Sequence, residues 1–387
     1  MVTYPSDWKT NKIIEVADIF DNLRIPVTKN QRKPGNTPYY GANGIQDYVS
    51  GYTHDGEFVL IAEDGANDLQ NYPVTYASGK IWVNNHAHVL AGVNSKADTR
   101  FLAYLLKKVD FAAVLVGGTR AKLNGKTLKN IEVILPERLK EQQAIASVLS
   151  DFDEHIGNLS GLIEKKKAIR DGALEDLVSG RTRLDGFNGE WIESTIEDST
   201  KEIITGGTPS TKVDKYWGGS IPWLASTEIH QKIITRATKN ITKIGLNNSS
   251  AKMAPKDSVL IALAGQGKTR GTAAFLAYPM ALNQSLAALV AANETDSKFL
   301  FYLIENMYLE LRELSSGDGG RGGLNKTLIK NINIRLPREI KEQHAIAEVL
   351  TAMDEEIESL ETEKEKMMQI KEGAMDDLLT GRVRLKV

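Results

Sequence analysis

The chain has 387 residues, enough for two or three domains with cores of their own, and its 41% apolar and 25% charged residues are ordinary for a soluble globular protein. It has no cysteine, which excludes a disulfide framework, a thiol nucleophile and a thiolate metal site, and no apolar run approaches the roughly 20 residues of a membrane span. The net charge of −2 gives no global basic signature, so nucleic-acid binding would have to come from local patches or partners. The opening MVTYPSDWKT lacks a signal-peptide pattern, which with the missing cysteine fits a cytoplasmic protein.

In chain order, Trp8 precedes a short helix or strand around Lys12 to Phe20. The stretch IPVTKNQRKPGNTPYYGANGIQDYVSGY is rich in Gly, Pro and Asn and reads as a loop, with Lys29, Arg32 and Lys33 beside Tyr39, Tyr40 and Asn43. Basic residues next to aromatics and amides suit phosphate and base-edge contact; the competing reading is a solvated loop whose tyrosines pack on the domain. Strands are expected at Glu57–Ala62, Val74–Ala77, Lys80–Val83 and His86–Leu90, and a helix at Thr99–Lys108, before a Gly117–Arg120 turn and Lys122. His86 and His88 would share a strand face, but two nitrogens without a third ligand do not make a metal site.

A β-branched run, Ile131–Ile134, then ends at Pro136, which stops the strand and can open a helix. The following residues lack proline and place Ile145, Leu149, Phe152, Ile156, Leu159 and Ile163 at alternating steps of four and three, the seam of a coiled coil. This helix ends at Ser179-Gly180, with Gly suited to the left-handed cap. At forty or so residues it would be roughly 60 Å long.

A second segment starts with the turn DGFNGEW, ending at Trp191. Another Gly/Pro/Ser/Thr-rich loop, from Ile203 to Ile229, carries Thr208, Ser210, Lys212, Lys215, Tyr216 and Trp217. Strands are expected at Val259–Leu263 and Leu286–Val290, flanking Gly265-Gln266-Gly267-Lys268-Thr269-Arg270-Gly271. The Gly-Lys-Thr suggests a phosphate loop, but position 262 is Ala where that pattern wants Gly, so the turn reads as a basic loop that exposes its backbone. A helix at Lys298–Leu314 leads to a Gly-rich turn with Arg321.

Residues 324–385 then repeat residues 123–184 without a gap, at an offset of 324 − 123 = 201, with about half of the positions identical. Ile332–Ile334, Pro337, the seam Ile346, Leu350, Met353, Ile357 and Leu360, and Thr380-Gly381 take the matching places. A lone surface helix rarely needs this length, so two matching helices that pair with each other is the better reading. The segments before the repeats echo each other weakly: FLAYLL at 101–106 matches FLFYLI at 299–304, and Trp8 matches Trp191.

The Leu-Pro followed by Glu-Gln-x-Ala-Ile-Ala-x-Val-Leu (135–149 and 336–350), Gly-Arg-x-Arg-Leu (180–184 and 381–385), GGTPS (206–210) and PYYGANGI (38–45) together resemble the specificity subunit of Type I restriction–modification systems, over essentially the whole chain. The resemblance implies an α+β protein with two mixed α/β target-recognition domains, residues 1–136 and 185–337. They would be separated by helices 137–184 and 338–387, pairing as an antiparallel coiled coil with pseudo-two-fold symmetry. Each variable domain would read one half of a bipartite, asymmetric site on double-stranded DNA. The helices would set the spacing and dock two methyltransferase subunits and, through them, restriction subunits. No cofactor is expected on this chain, with S-adenosylmethionine, ATP and Mg on the partner subunits.

The residues fit that division of labour. Asn71-Tyr72-Pro73-Val74 is not the Asn/Asp-Pro-Pro-aromatic motif of an adenine methyltransferase, and no nuclease carboxylate cluster is evident, so the chain is expected to be non-catalytic. Phosphate contacts are assigned to Lys29, Arg32, Lys33, Arg120, Lys122, Lys212, Lys215, Lys268, Arg270 and Arg321. Base or groove contacts are assigned to Tyr39, Tyr40, Asn43, Thr208, Ser210, Tyr216 and Gln266. Two other readings stand beside this one: a structural adaptor whose two domains bind proteins or glycans, and a specificity subunit of a system that fuses methylation with cleavage.

Overall fold

β-Branched and aromatic runs supply the sheets, and Asp or Asn caps start the short helices packed on them. The computed structural model describes residues 4–115, 122–265, 267–315 and 323–386. The chain divides into two units, Met1–Gly161 with Thr362–Val387, and Leu162–Glu361.

In the first unit, β1 (Trp8–Lys12), α1 (Ile13–Val16), β2 (Ala17–Ile19), β3 (Pro34–Gly41), β4 (Gly44–Val49), β5 (His54–Ala62), β6 (Val74–Val83) and β7 (Ala87–Gly92) precede the helix α2 (Thr99–Leu106). The sheet order is β2-β7-β5-β6-β3-β4. Next come α3 (Gly125–Asn130), β8 (Glu132–Pro136), which pairs antiparallel with β1, and the 41-residue helix α4 (Leu139–Ser179). The carboxylate of Asp98 accepts the Phe101 amide at 2.8 Å and starts α2, which buries Phe101, Leu102 and Leu106 on the sheet.

The second unit contains β9 (Trp191–Thr195), β10 (Thr200–Thr205), β11 (Trp217–Leu224), β12 (Ile233–Ile234), β13 (Lys239–Ile241), α5 (Lys243–Asn247), β14 (Lys252–Ala254), β15 (Ser258–Ala262), β16 (Ala273–Leu276), β17 (Met280–Leu282) and β18 (Leu286–Ala291). They form sheets ordered β10-β18-β15-β16-β12 and β13-β11-β17-β14. The rest is α6 (Ser297–Asn306), α7 (Tyr308–Leu314), α8 (Lys326–Lys330), β19 (Asn333–Pro337), paired with β9, and the 39-residue helix α9 (Ile340–Leu378).

Several expectations change. The stretch read as a loop over Ile203–Ile229 contains β11, and the two strands expected at Val74–Ala77 and Lys80–Val83 are one, β6. The stretch read as a loop around Tyr39 is the β3–β4 hairpin. Its ladder shifts register between Pro34 and Thr37 and between Tyr39 and Tyr40, so Pro34 sits where the ladder is irregular. The expected helix at Lys298–Leu314 breaks at Met307 into α6 and α7. Pro136 and Pro337 do not open helices: each is the last residue of a strand, opposite Trp8 or Trp191, and the helix starts three residues later.

The seam of each long helix divides its work. Ile145 and Leu149 lie in the first unit's core with Phe101, Val59 and Ile61, and that core also takes Met375, Leu378 and Leu379 from the end of α9. Ile346 and Leu350 lie in the second unit's core, Met353 packs against it, and Leu174, Leu177 and Val178 from the end of α4 complete it. Of the remaining seam positions Leu159, Ile163 and Ile357 are buried and Phe152, Ile156 and Leu360 half-buried. Where the helices meet, ion pairs set direction. In the first unit Lys371 meets Asp153 at 2.5 Å and His155 faces Glu363 at 3.6 Å; in the second, Lys166 meets Glu356 at 2.6 Å and Arg170 meets Asp354 at 2.9 Å. Partners run in opposite numerical order, so the pairing is antiparallel.

The repeated motifs hold each helix start to its own domain. The Gln142 amide donates to the Pro136 and Lys96 carbonyls and accepts the Asp98 amide; Gln343 does the same with Pro337, Glu294 and Asp296. Glu342, fully buried, is held by Arg183 at 2.5 Å, and Glu141 by Arg384 at 2.5 Å. Gly180 and Gly381 both adopt left-handed φ, +73° and +71°, and a Cβ on Gly381 would stand 2.5 Å from Pro5.

Candidate nucleic-acid interface

At one end of the first unit's sheet three connections converge: the β3–β4 turn, the loop after β5 and the turn before β7. The Asn43 amide donates to the Gly65 carbonyl at 2.9 Å and accepts the Asn67 amide at 3.0 Å, which fastens the first connection to the second. The Glu63 amide donates to the His86 carbonyl, and the His86 ring meets Asp64 at 2.5 Å, joining the second to the third. Lys122 adds its ammonium 2.9 Å from Glu63. Asn43, Asn67, Asn85, His86 and Lys122 are all exposed there.

The second unit repeats the plan with other side chains. The Thr208 hydroxyl donates to Gln284 at 2.6 Å, and the Leu263 amide donates to the Ser285 carbonyl, so the turn before β18 links the segment after β10 to the β15–β16 loop. Thr269 of that loop meets His230 at 3.1 Å. The same buried hinge supports both turns. The Asn84 side chain accepts the His86 amide while its own amide donates to Tyr40, and Asn283 does so with Ser285 and Leu224. Gly206 and Gly207 pass so close to Leu282 and Ser250 that a Cβ would lie 1.8 and 1.9 Å from them, which is why the stretch needs both glycines.

Of the residues assigned from sequence, Lys29, Lys33, Asn43, Lys122, Thr208, Ser210, Lys212, Lys215 and Lys268 are exposed. Lys268 sits on the loop joining antiparallel β15 and β16, whose backbone is fixed by Tyr308 and Arg312 donating to the Lys268 and Gly267 carbonyls. Because that loop joins two strands rather than a strand and a helix, it is not a phosphate-binding P-loop. Tyr216 is half-buried, and its carbonyl accepts the Thr242 amide.

Four assigned residues sit less openly than expected. Tyr39, 1% exposed, bonds Val27 through its hydroxyl, and Tyr40 lies in a core with Phe58 and Ile81, so neither ring faces outward. Arg32 spends its guanidinium on the Tyr39 ring, 4.1 Å away, and on Asp47 at 3.2 Å. Arg270 is half-buried and donates to Ser315 at 3.5 Å. Arg120, Gln266 and Arg321 lie outside the described residues. Sequence reading missed Asn67, Asn85, His230 and Gln284; His86 it weighed only as a metal ligand.

His88 does not share a strand face with His86, which sits in the turn before β7. It is buried beside Asp21 and Glu63, the one group of three ligand-type side chains among the described residues. Its Nε2 stands 2.8 Å from the Leu123 carbonyl, an acceptor only, and its Nδ1 2.6 Å from the Asp21 carboxylate. Both nitrogens therefore donate, which leaves no lone pair for a metal. Burial pushes the His88 pKa down, but Asp21, the Leu123 carbonyl and Glu63 outweigh it and raise the pKa above its ordinary value. Arg24, 2.7 Å from Glu63, already supplies the cation.

A family model for the Type I restriction modification DNA specificity domain matches residues 5–166 and again 188–369. The MjaVIII specificity subunit of Methanocaldococcus jannaschii is 26% identical over 420 residues, covering 99% of this chain and 94% of that one. A Haemophilus influenzae relative is 49% identical over 143 residues, but the match spans only 37% of this chain and 36% of that relative. The solved S subunit of the Type I restriction–modification system of M. genitalium shares the fold, with a TM-score of 0.70 over 96% of each chain at 18% identity. The chain belongs to the family of Type I restriction–modification specificity subunits, and carries the family's DNA specificity domain twice.

Proposed function

We propose that each unit reads one half of a bipartite, asymmetric site on double-stranded DNA with the sheet end described above. One observation carries this. Both units fasten three connections together at the same end through a buried Asn hinge, and both present exposed amide, imidazole and ammonium groups there, joined in the second by the Thr208 hydroxyl. Amides and hydroxyls can pair with base edges, while lysines neutralise phosphates. The side chains differ between units (Asn43, Asn67, Asn85 and His86 against Thr208, His230 and Gln284), so the two half-sites should differ in sequence.

In this reading α4 and α9 set the gap between half-sites and dock two methyltransferase subunits and, through them, restriction subunits. Covalent linkage makes the second half-site contact intramolecular and raises its effective concentration. The chain itself is non-catalytic, and S-adenosylmethionine, ATP and Mg act on the partner subunits in the cytoplasm. Among the described residues no helix is long and apolar enough to cross a membrane.

The test is methylome sequencing of a methylation-deficient host that expresses this chain with its neighbouring methyltransferase subunit. Adenine methylation at a split, asymmetric motif is the expected result. An assembled, folded complex that methylates nothing would favour the adaptor reading, in which the two domains bind proteins or glycans.

A further inference from the structure

Beside the start of α4 in the first unit lies a cleft of about 410 Å³, lined by Tyr76, Arg100, Tyr104, Lys107, Ser150 and Asp153 among others. Arg100 is half-buried and donates to the Tyr76 hydroxyl at 3.2 Å and to Ser150 at 3.4 Å, yet among the described residues it pairs with no carboxylate. A guanidinium has five N–H donors, and two of these are spent on neutral hydroxyls while the group lies 4.9 Å from the centre of the Tyr76 ring. Lys107 likewise makes no ion pair, and its ammonium and that of Lys371 lie 5.4 and 5.8 Å from the centre of the Tyr104 ring. Two carboxylates answer these three cations: Asp153 is taken by Lys371 and the Tyr104 hydroxyl, and Glu57 acts on Arg100 from beside the Tyr76 hydroxyl.

The second unit shows the same arrangement with its charges paired, around a larger cleft of about 800 Å³. There Tyr302, Thr351, Asp354 and Arg170 stand where Tyr104, Ser150, Asp153 and Lys371 stand in the first. The position of Lys107, however, is Glu305, whose carboxylate meets Arg170 at 2.5 Å and Lys232 at 3.2 Å. One cleft therefore carries its own anion, while its counterpart has a cation in that place and a guanidinium that no carboxylate pairs directly among the described residues.

We propose that the first unit's cleft is an oxyanion site, filled by an aspartate or glutamate side chain of a partner protein in the role that Glu305 fills internally in the second unit. A carboxylate is favoured because the counterpart cleft uses one, and because planar Arg donors match its two oxygens. A partner meeting both units would thus find this ionic contact in only one, which distinguishes two otherwise similar surfaces. The inference is independent of DNA reading.

The test uses the full chain and a hexaglutamate peptide as probe, at constant ionic strength, with the thermal midpoint as readout. Wild type should gain an increment that grows with peptide concentration, as a ligand binding only the folded state requires. In Lys107→Glu, which rebuilds the paired network, that increment should need at least tenfold more peptide, and the midpoint without peptide should rise. Arg100→Gln should lose the increment without that rise; Lys107→Met replaces it if it does not fold. Peptide increments unchanged in the variants would overturn the site. If a short non-specific duplex, rather than the peptide, loses its stabilisation in Lys107→Glu, the occupant is a nucleic-acid phosphate and the partner assignment falls.

Discussion

Arg32 and Lys268 are both basic residues of Gly-rich stretches, and their surroundings give them opposite work. The Arg32 side chain is 14% exposed and committed to Tyr39 and Asp47, whereas Lys268 projects from a loop whose backbone is already tied down. Lys268→Ala should therefore lower the slope of log affinity against log salt by about one on a duplex target, with stability changed by less than about 0.5 kcal/mol. Arg32→Ala should leave the slope alone and lower stability, since it removes a guanidinium packed on the Tyr39 ring and bonded to the Val27 carbonyl. Salt-dependent binding combined with denaturation separates the two. Composition made both residues candidates, but that Arg32 packs on Tyr39 depends on the pairing of β3 with β4 and β6. The alternation that would reveal it is hidden by two register shifts. His88 makes a pH prediction with a definite sign. Its pKa is raised on folding, so its contribution is complete below about 6.5, its unfolded value, and is lost as pH rises through the folded value. Asp21 works the other way: burial opposes it, but His88, the Val89 amide and Arg24 hold its carboxyl below the usual range, so its contribution fades only as acid protonates it. The stability gap between wild type and His88→Gln should be largest near pH 6 and shrink toward pH 9. A gap that widens with pH would mean that His88 is neutral.

At the scale of elements, the repeat is what the sequence displays most plainly, because a helix seam and a duplicated motif are local patterns. The two long helices follow from it. What local pattern could not show is that the first two seam residues of each helix face a sheet, and that each core is finished by the far end of the other helix. Those contacts are non-local, and the residues that make them, Leu174, Leu177, Met375 and Leu378, follow long charged stretches. The crossing ion pairs carry their own prediction. Arg170 is 7% exposed and meets Asp354 and Glu305, so Arg170→Ala leaves Lys232 as the cation for both carboxylates and should cost about 1.5–3 kcal/mol. Lys371→Ala, at the equivalent place, releases an Asp153 that is 44% exposed and should cost about 1 kcal/mol or less. Because a two-unit chain need not unfold in one step, the comparison belongs to hydrogen exchange of the amides around each pair. Equal loss of protection in both variants would show that burial does not separate the two pairs.

At the scale of the whole molecule, helix length becomes a functional variable if α4 and α9 set the gap between the half-sites, as proposed. The ion pairs Arg170–Asp354 and Lys371–Asp153 occupy equivalent positions of the repeat, so matched deletions can keep the helices in register. Removing residues 158–164 from α4 and 359–365 from α9 takes one heptad from each, keeps the apolar stripe on its face and leaves every reading loop untouched. Seven residues of helix span about 10 Å, close to three base pairs at 3.4 Å each. If the helices are a ruler, the shortened protein should methylate the same two half-sites with a gap about three base pairs smaller. It should do so more slowly, because at about 10 base pairs per turn that change also swings one half-site roughly 100° around the duplex. Methylome sequencing reads both quantities at once. An unchanged gap would remove the helices from the measurement of distance, and an altered half-site would mean that they help to shape the reading surfaces rather than only to space them.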